Sequence, residues 1–336
     1  MLWADWLMQT IFTANILLDE LIFIALSFAL TYLITPIVIK FAVASGITGR
    51  DVNKPNAPEI AEMGGIAILF GFMGAMLLAI AFHTFFQVDF NVMAVMAGLL
   101  TILMMGVLGV IDDIFDIPQI FKAFLPLFAA IPLIAIRAGN QVMLIPFLGA
   151  VNFGILYLLI LVPIGIAVTS NLTNMLAGFN GLEAGLGAIM FAALLVIAIT
   201  TGNPEIGIFS ASMLGALLAF LMFNRYPARI FPGDAGTFLI GAALAATVIV
   251  GNLEFAGAIL AIPYVVDFFI KLINRFPSKQ WWGACIDGKL HPVDGKVRGL
   301  CQWIMKQAGG ITENKLVSVL LLAELALALI VMILFK

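Results

Sequence analysis

The feature that most restricts this chain is a succession of apolar runs, each close to the length of one bilayer crossing and separated by short polar breaks. A helix needs about 20 apolar residues to cross roughly 30 Å of hydrocarbon. Such runs occur near 21–43, 64–87, 92–111, 120–136, 155–170, 181–199, 207–223, 236–250, 254–273 and 315–335. Only 10% of the residues are charged, against roughly a quarter in a soluble domain, which is too few to cover a water-facing surface. The expectation is an all-α polytopic membrane protein with about ten transmembrane helices, a single domain over 1–336 with a polar loop at about 274–314. Dividing 92–136 into two spans rests on the break "DDIFDIPQ", where Pro118 helps end a helix.

The opening "MLWADWLMQTIFTANILLDE" has no basic start, carries Asp5 and lacks a small-x-small cleavage site. It reads as an interfacial lead-in to the first span, not as a cleavable signal. Lysine and arginine then set the orientation. Lys40, Arg50 and Lys54 flank the first connection, Lys122 follows the third, and Arg225 and Arg229 lie in the seventh. The ninth holds eight basic residues between Lys271 and Lys315. The other face offers only Arg137 and Lys336, beside Asp5, Asp19, Glu20, Asp89, Glu205 and Glu254. Odd-numbered connections are therefore expected in the cytoplasm, with both termini outside. The basic residues are too scattered for nucleic acid. Cys285 and Cys301, without a CxxC spacing, read as reduced thiols.

Every unusual polar cluster falls on the expected cytoplasmic side: "GRDVNKPNAPEIAEMGG" (49–65), "GVIDDIFDIPQIFKAF" (109–124), "NLTNMLAGFNGLEAG" (171–185) and "NRYPARIFPGDAGTF" (224–238). Asp112 and Asp113 are adjacent acids at a membrane edge, with Asp116 one turn beyond Asp112. Buried together they need a compensating cation, and Mg²⁺ is commonly held through one or two carboxylates plus substrate phosphates. A solvated helix cap is the plainer reading. Asp234, between glycines, is a turn when taken alone. Asn171 and Asn174 share a face if the fifth helix continues to them. Gly178, Gly181 and Gly185 allow close backbone approach. Lys122 offers a point charge for phosphate, or is a snorkelling interface lysine. Phe231 reads as a base-stacking ring or a membrane anchor, and Glu59 and Glu62 as loop solvation.

Together these segments resemble the polyprenyl-phosphate N-acetylhexosamine-1-phosphate transferases. The likeness is nearest to the eukaryotic and archaeal branch acting on UDP-N-acetylglucosamine and dolichyl phosphate. It runs from about residue 21 to 265 and is carried by four ordered motifs: "GRDVNKPNAPEIAE", "DDIFDIPQIFKAFLP", "NLTNMLAGFNGLEAG" and "NRYPARIFPGD". The resemblance implies attack by a lipid phosphate on the β-phosphorus of a UDP-N-acetylhexosamine, with UMP leaving. It implies Mg²⁺, or Mn²⁺ in its place, held by Asn174 and Asp234. Asp112 and Asp113 match the essential acid pair and Lys122 the pyrophosphate lysine, with Asn171 beside the metal. Gly178, Asn180 and Phe231 match a uracil site, and Val52 and Glu62 line the nucleoside pocket.

One departure stands out. The last cytoplasmic loop of these enzymes carries a run of alternating histidines or arginines, whereas this chain reads "NRFPSKQWWGACIDGKLHP". Lys279 is the expected substitute, near Arg275, while Trp281 and Trp282 either dock the loop on lipid headgroups or enclose the sugar. Membrane lipids and a second copy of the chain are further expected partners, and an archaeal cell membrane the expected location. Two other classes stay open at this point. A transporter uses broken helices with polar sites, but near the midplane, where these spans carry almost no charge. A Mg²⁺-dependent prenyltransferase would need a second acid-rich cluster.

Overall fold

The computed structural model describes residues 2–115, 117–145, 148–277 and 280–335. Their helices are α1 (Leu2–Ala44), α2 (Gly65–Phe86), α3 (Val92–Phe115), α4 (Gln119–Ala129), α5 (Ile131–Ala135), α6 (Val162–Met175) and α7 (Leu182–Thr201). They continue with α8 (Pro204–Asn224), α9 (Gly233–Val250), α10 (Glu254–Leu260), α11 (Ile262–Ile273), α12 (Leu300–Gln307) and α13 (Glu313–Leu334). A π-turn over Tyr157–Leu161 leads into α6. Three short antiparallel hairpins lie in the connections: β1 (Thr48–Arg50) with β2 (Glu59–Ala61), β3 (Val142–Ile145) with β4 (Gly149–Asn152), and β5 (Gly283–Ile286) with β6 (Lys289–Pro292).

Among the described residues, eight helices are long and apolar enough to cross a membrane, or nine if α10 and α11, bent by 61°, count as one span. The chain is an integral membrane protein. The apolar run expected at 120–136 is a shorter apolar helical stretch over 119–135. It folds as α4 followed by the five-residue α5, with Pro126 inside α4 and Pro132 opening α5. Each proline removes a backbone donor and crowds the preceding turn. Hydropathy registers the apolar residues but not the broken hydrogen-bond ladder.

The helices α7, α8 and α9 are the most deeply buried, while α1 and α13 present most of their surface outward. Small residues let neighbours reach the α9 backbone, as membrane helix interfaces require. A Cβ added at Gly109 of α3 would lie 2.4 Å from the Ala235 Cα, and one at Gly65 of α2 only 2.1 Å from the Gly236 nitrogen. Farther along, Gly241 meets the α6 backbone at Ser170, and Thr173 donates its hydroxyl to the Thr237 carbonyl at 2.8 Å. The first turns of α9, which carry Asp234, are thus fixed by three helices.

The helix ends gather on one face of the bundle. Ile47 beyond α1 bonds Glu62 ahead of α2, and Gly65 donates to Pro232 ahead of α9. Asn224 at the end of α8 accepts from Gly181 ahead of α7 at 3.2 Å. Lys271 of α11 donates to the Met175 carbonyl ending α6.

Candidate active site

At that face the segments around residues 112, 122, 174 and 234 meet. Asp112 lies in the last turn of α3, where its Oδ1 accepts the Ile117 N–H at 2.9 Å. This bond turns the chain, so α4 runs back and returns Lys122 to the acid pair. The Lys122 ammonium lies 2.8 Å from Asp112 Oδ2 and 3.2 Å from Asp234 Oδ2. Asn174, in the last turn of α6, donates from Nδ2 to Asp234 Oδ1 at 2.9 Å. Asn171 lies one turn earlier and donates to Ala167 at 2.8 Å and to the Lys122 carbonyl at 3.3 Å, tying α6 to α4. The fifth helix does continue through both asparagines.

The two acids of the pair are placed differently. Asp112 faces the lysine and is 3% exposed. Asp113 instead accepts the N–H of Asp234 at 2.7 Å and of Ala235 at 3.1 Å. It therefore caps α9 from another helix, satisfying donors that have no partner within that helix. Asp116 lies outside the described residues.

Asp112 and Asp234 thus share the charge of Lys122, and adjacent carboxylates are costly unless further positive charge arrives. Two carboxylates and an amide oxygen are hard donors, too few for an all-protein cage but suited to Mg²⁺ completed by substrate phosphates. Among the described residues no group of three His, Cys, Asp or Glu could hold a metal alone. The donor set therefore fits a cation shared with a phosphorylated ligand.

Beside this cluster opens a cavity of about 560 Å³ between α4, α6 and α11. Lys122, Asn171 and Asn174 line it together with Val168, Phe268 and Phe269. Val168 and Phe269 are exposed on the outer surface of the bundle. The groove is therefore charged and amidic toward the site and hydrocarbon toward the lipid-facing side, which suits an amphiphile with a phosphate head.

The remaining expected residues surround a second buried network. Asn180, 3% exposed, accepts at Oδ1 from the Ala228 N–H at 2.9 Å and from Lys54 at 3.3 Å, and donates to Asp51 at 3.1 Å. Its own N–H donates to Glu313 at 2.8 Å. Lys54 pairs with Asp51 at 2.9 Å and also with Glu313. In this arrangement the Asn180 carboxamide holds the loop between α6 and α7 and keeps one amide N–H beyond the bond to Asp51. Gly178, at φ +99°, has its N–H taken by Glu183 and its carbonyl by Asn53 at 2.8 Å. Phe231 is half-buried, exchanging backbone bonds with Ala61 and Gly64 at 2.8 and 2.9 Å, three residues before Asp234. Glu62 packs against Gly49, and burial pushes its carboxyl above the usual carboxylate range. Val52 is half-buried between the anchored Asp51 and Asn53. Lys279 lies outside the described residues.

Asn53 carries a role the sequence reading assigned to no residue. Buried at 3% exposure, it donates to Gly178 and accepts the Gly283 N–H at 3.0 Å, joining three distant connections. The only signal was its place between Val52 and Lys54 in "DVNKP".

Comparison with known proteins gives the family. Residues 95–252 match the profile of glycosyl transferase family 4. A Saccharolobus solfataricus protein provisionally named UDP-N-acetylglucosamine–dolichyl-phosphate N-acetylglucosaminephosphotransferase is 41% identical over 93% of this chain and 95% of its own length. The Dictyostelium discoideum protein of that name is 26% identical over 88% of this chain and 83% of its own. A phospho-N-acetylmuramoyl-pentapeptide-transferase of Halalkalibacterium halodurans is 32% identical over 77% and 83%.

Proposed function

We propose that this chain, which belongs to glycosyl transferase family 4, transfers N-acetylglucosamine-1-phosphate from UDP-N-acetylglucosamine to a polyprenyl phosphate of the dolichyl type. It is an enzyme, a glycosyl-1-phosphate transferase. The observation that carries the substrate reading is the placement of the Asp112–Lys122–Asp234–Asn174 cluster at the polar end of an apolar groove.

Phosphoryl transfer asks a protein chiefly for in-line placement and neutralised charge. The isoprenoid lies in the groove between α4, α6 and α11, and its phosphate meets Lys122 and Asn171. An oxygen of that phosphate bonds to the β-phosphorus of the donor, the bond from that phosphorus to the UMP oxygen breaks, and UMP departs. The product, sugar on a lipid pyrophosphate, starts a lipid-linked oligosaccharide. A phosphate monoester loses its second proton near pH 6, so Asp112 is not needed as a strong base. It orients and charge-balances Lys122. Asp113 fixes the start of α9 and with it Asp234. Asn174 and Asp234 would hold Mg²⁺, which when bound offsets charge on the pyrophosphate oxygens.

The distribution of basic residues supports a cytoplasmic position for this face, and the Saccharolobus relative supports an archaeal cell membrane. Purified protein, UDP-N-acetylglucosamine and polyprenyl phosphate provide the test. UMP release should require both Mg²⁺ and the lipid acceptor. Uptake of the nucleotide sugar into vesicles without UMP release would overturn the reading in favour of a carrier.

A further inference from the structure

The connection between α11 and α12 is where the expected basic run is missing, and several side-chain hydrogen bonds tie it down. Gln302, 0% exposed, donates from Nε2 to both the Gln280 and Trp282 carbonyls at 2.7 Å. Arg298 donates to the Gln280 side chain at 2.8 Å. Asn53 accepts the Gly283 N–H at 3.0 Å. Gln280 is held at φ +60°, a conformation that costs a non-glycine residue energy and persists only when its surroundings over-determine it. The residues on both sides of Trp281 are therefore anchored.

The consequence is where the indole goes. Trp281 lies against Gly178, so closely that a Cβ at that glycine would sit 2.2 Å from the ring. Gly178 belongs to the turn that begins directly after α6, four residues past Asn174. Asn53 pins the same turn through the Gly178 carbonyl at 2.8 Å, so one buried amide sets both the turn and the indole. Trp281 is only half-buried, with Trp282 meeting it edge-on at 5.9 Å. A rigid, partly open aromatic surface at the mouth of a polar site suits a flat or C–H-rich ligand face, as a nucleobase or an acetamido sugar presents.

Building on the proposed reaction, we propose that Trp281 is a donor-binding residue that packs on the nucleotide sugar over the 176–181 turn, with Asn53 as its positioning residue. In this chain, aromatic contact takes a share of the donor grip that the missing basic run would supply. The lipid acceptor, entering from the groove between α4, α6 and α11, does not depend on it.

The test uses the full-length protein and the variants W281F and W281A, with W303F on the exposed face of α12 as control. Tryptophan fluorescence is titrated with UDP-N-acetylglucosamine and with UMP, and both Michaelis constants are measured. W281F should lose most of the quench seen in the wild type. W281A should raise the donor KM about tenfold, the scale of one lost base–aromatic contact, and leave the polyprenyl phosphate KM within about twofold. W303F should follow the wild type. The proposal is overturned if W281F keeps the quench and W281A the donor KM, or if W281A raises both constants and lowers the unfolding midpoint, the mark of loop support alone. A wild type that binds donor with a Trp281-dependent quench but releases no UMP would uphold the contact and reject the reaction. Turnover with an unaltered quench in W281F would do the reverse.

Discussion

Replacing Asp113 separates scaffold from chemistry within the acid pair. Its carboxylate accepts two N–H groups at the start of α9, at 2.7 and 3.1 Å, where the helix dipole also favours an anion. A hydrogen bond to a charged acceptor contributes ~1.5–3 kcal/mol, which bounds the pair at about 6 kcal/mol. The freed N–H groups lie beside a polar mouth and regain water in part, and lost N-caps cost ~0.5–2 kcal/mol. Asp113→Ala should therefore destabilise the protein by about 2 kcal/mol. Asp113→Asn keeps one acceptor and turns an amide N–H toward the second donor, losing roughly half of that. Denaturant unfolding of the detergent-purified variants measures both, alongside turnover at saturating substrates. Turnover should fall in the same order as stability, because Asp234 hangs from this cap. An alanine variant that unfolds like the wild type and yet is inactive would refute the capping role and move Asp113 into the chemistry.

Asp234→Asn and Asn174→Ala should each abolish transfer while leaving the unfolding midpoint close to that of the wild type; normal turnover in both at saturating Mg²⁺ would reject the metal assignment. Gly109→Val would force side-chain atoms into the Ala235 backbone, which lies 2.4 Å from an added Cβ, costing ~1–3 kcal/mol and displacing Asp234; unfolding and donor KM should shift together. Cys301 is 5% exposed and burial pushes its thiol well above the usual range. A maleimide should therefore modify Cys285 in the folded protein and reach Cys301 only after denaturation, as mass spectrometry of the labelled chain would record.

Much of this was legible in the sequence because membrane proteins separate their chemistry so sharply. Against hydrocarbon runs, Asp112, Lys122, Asn174 and Asp234 stand out by type alone, and helix periodicity put Asn171 and Asn174 on one face before any coordinates. The structure draws those four residues into one cluster. The break within 120–136 was not legible, because prolines at 126 and 132 interrupt hydrogen bonding without lowering apolarity. Nor could the sequence assign the two aspartates separately. Adjacent helical residues point in different directions, and what each meets depends on α4 and α9, which arrive from elsewhere in the chain. The same holds for the partners of Asn180, which bonds to Asp51, Ala228 and Lys54 across separations of 129, 48 and 126 residues. Asn53 was invisible for that reason: its partners are 125 and 230 residues away.

The fate of the donor's β-phosphorus decides whether the cluster at Asp112, Lys122, Asn174 and Asp234 transfers a phosphosugar. UDP-N-acetylglucosamine labelled with ³²P at the β-position, incubated with the protein, Mg²⁺ and polyprenyl phosphate, should pass its label into the organic-soluble lipid and leave unlabelled UMP in the aqueous phase. Label that stays aqueous as UDP, with the sugar alone on the lipid, would contradict it.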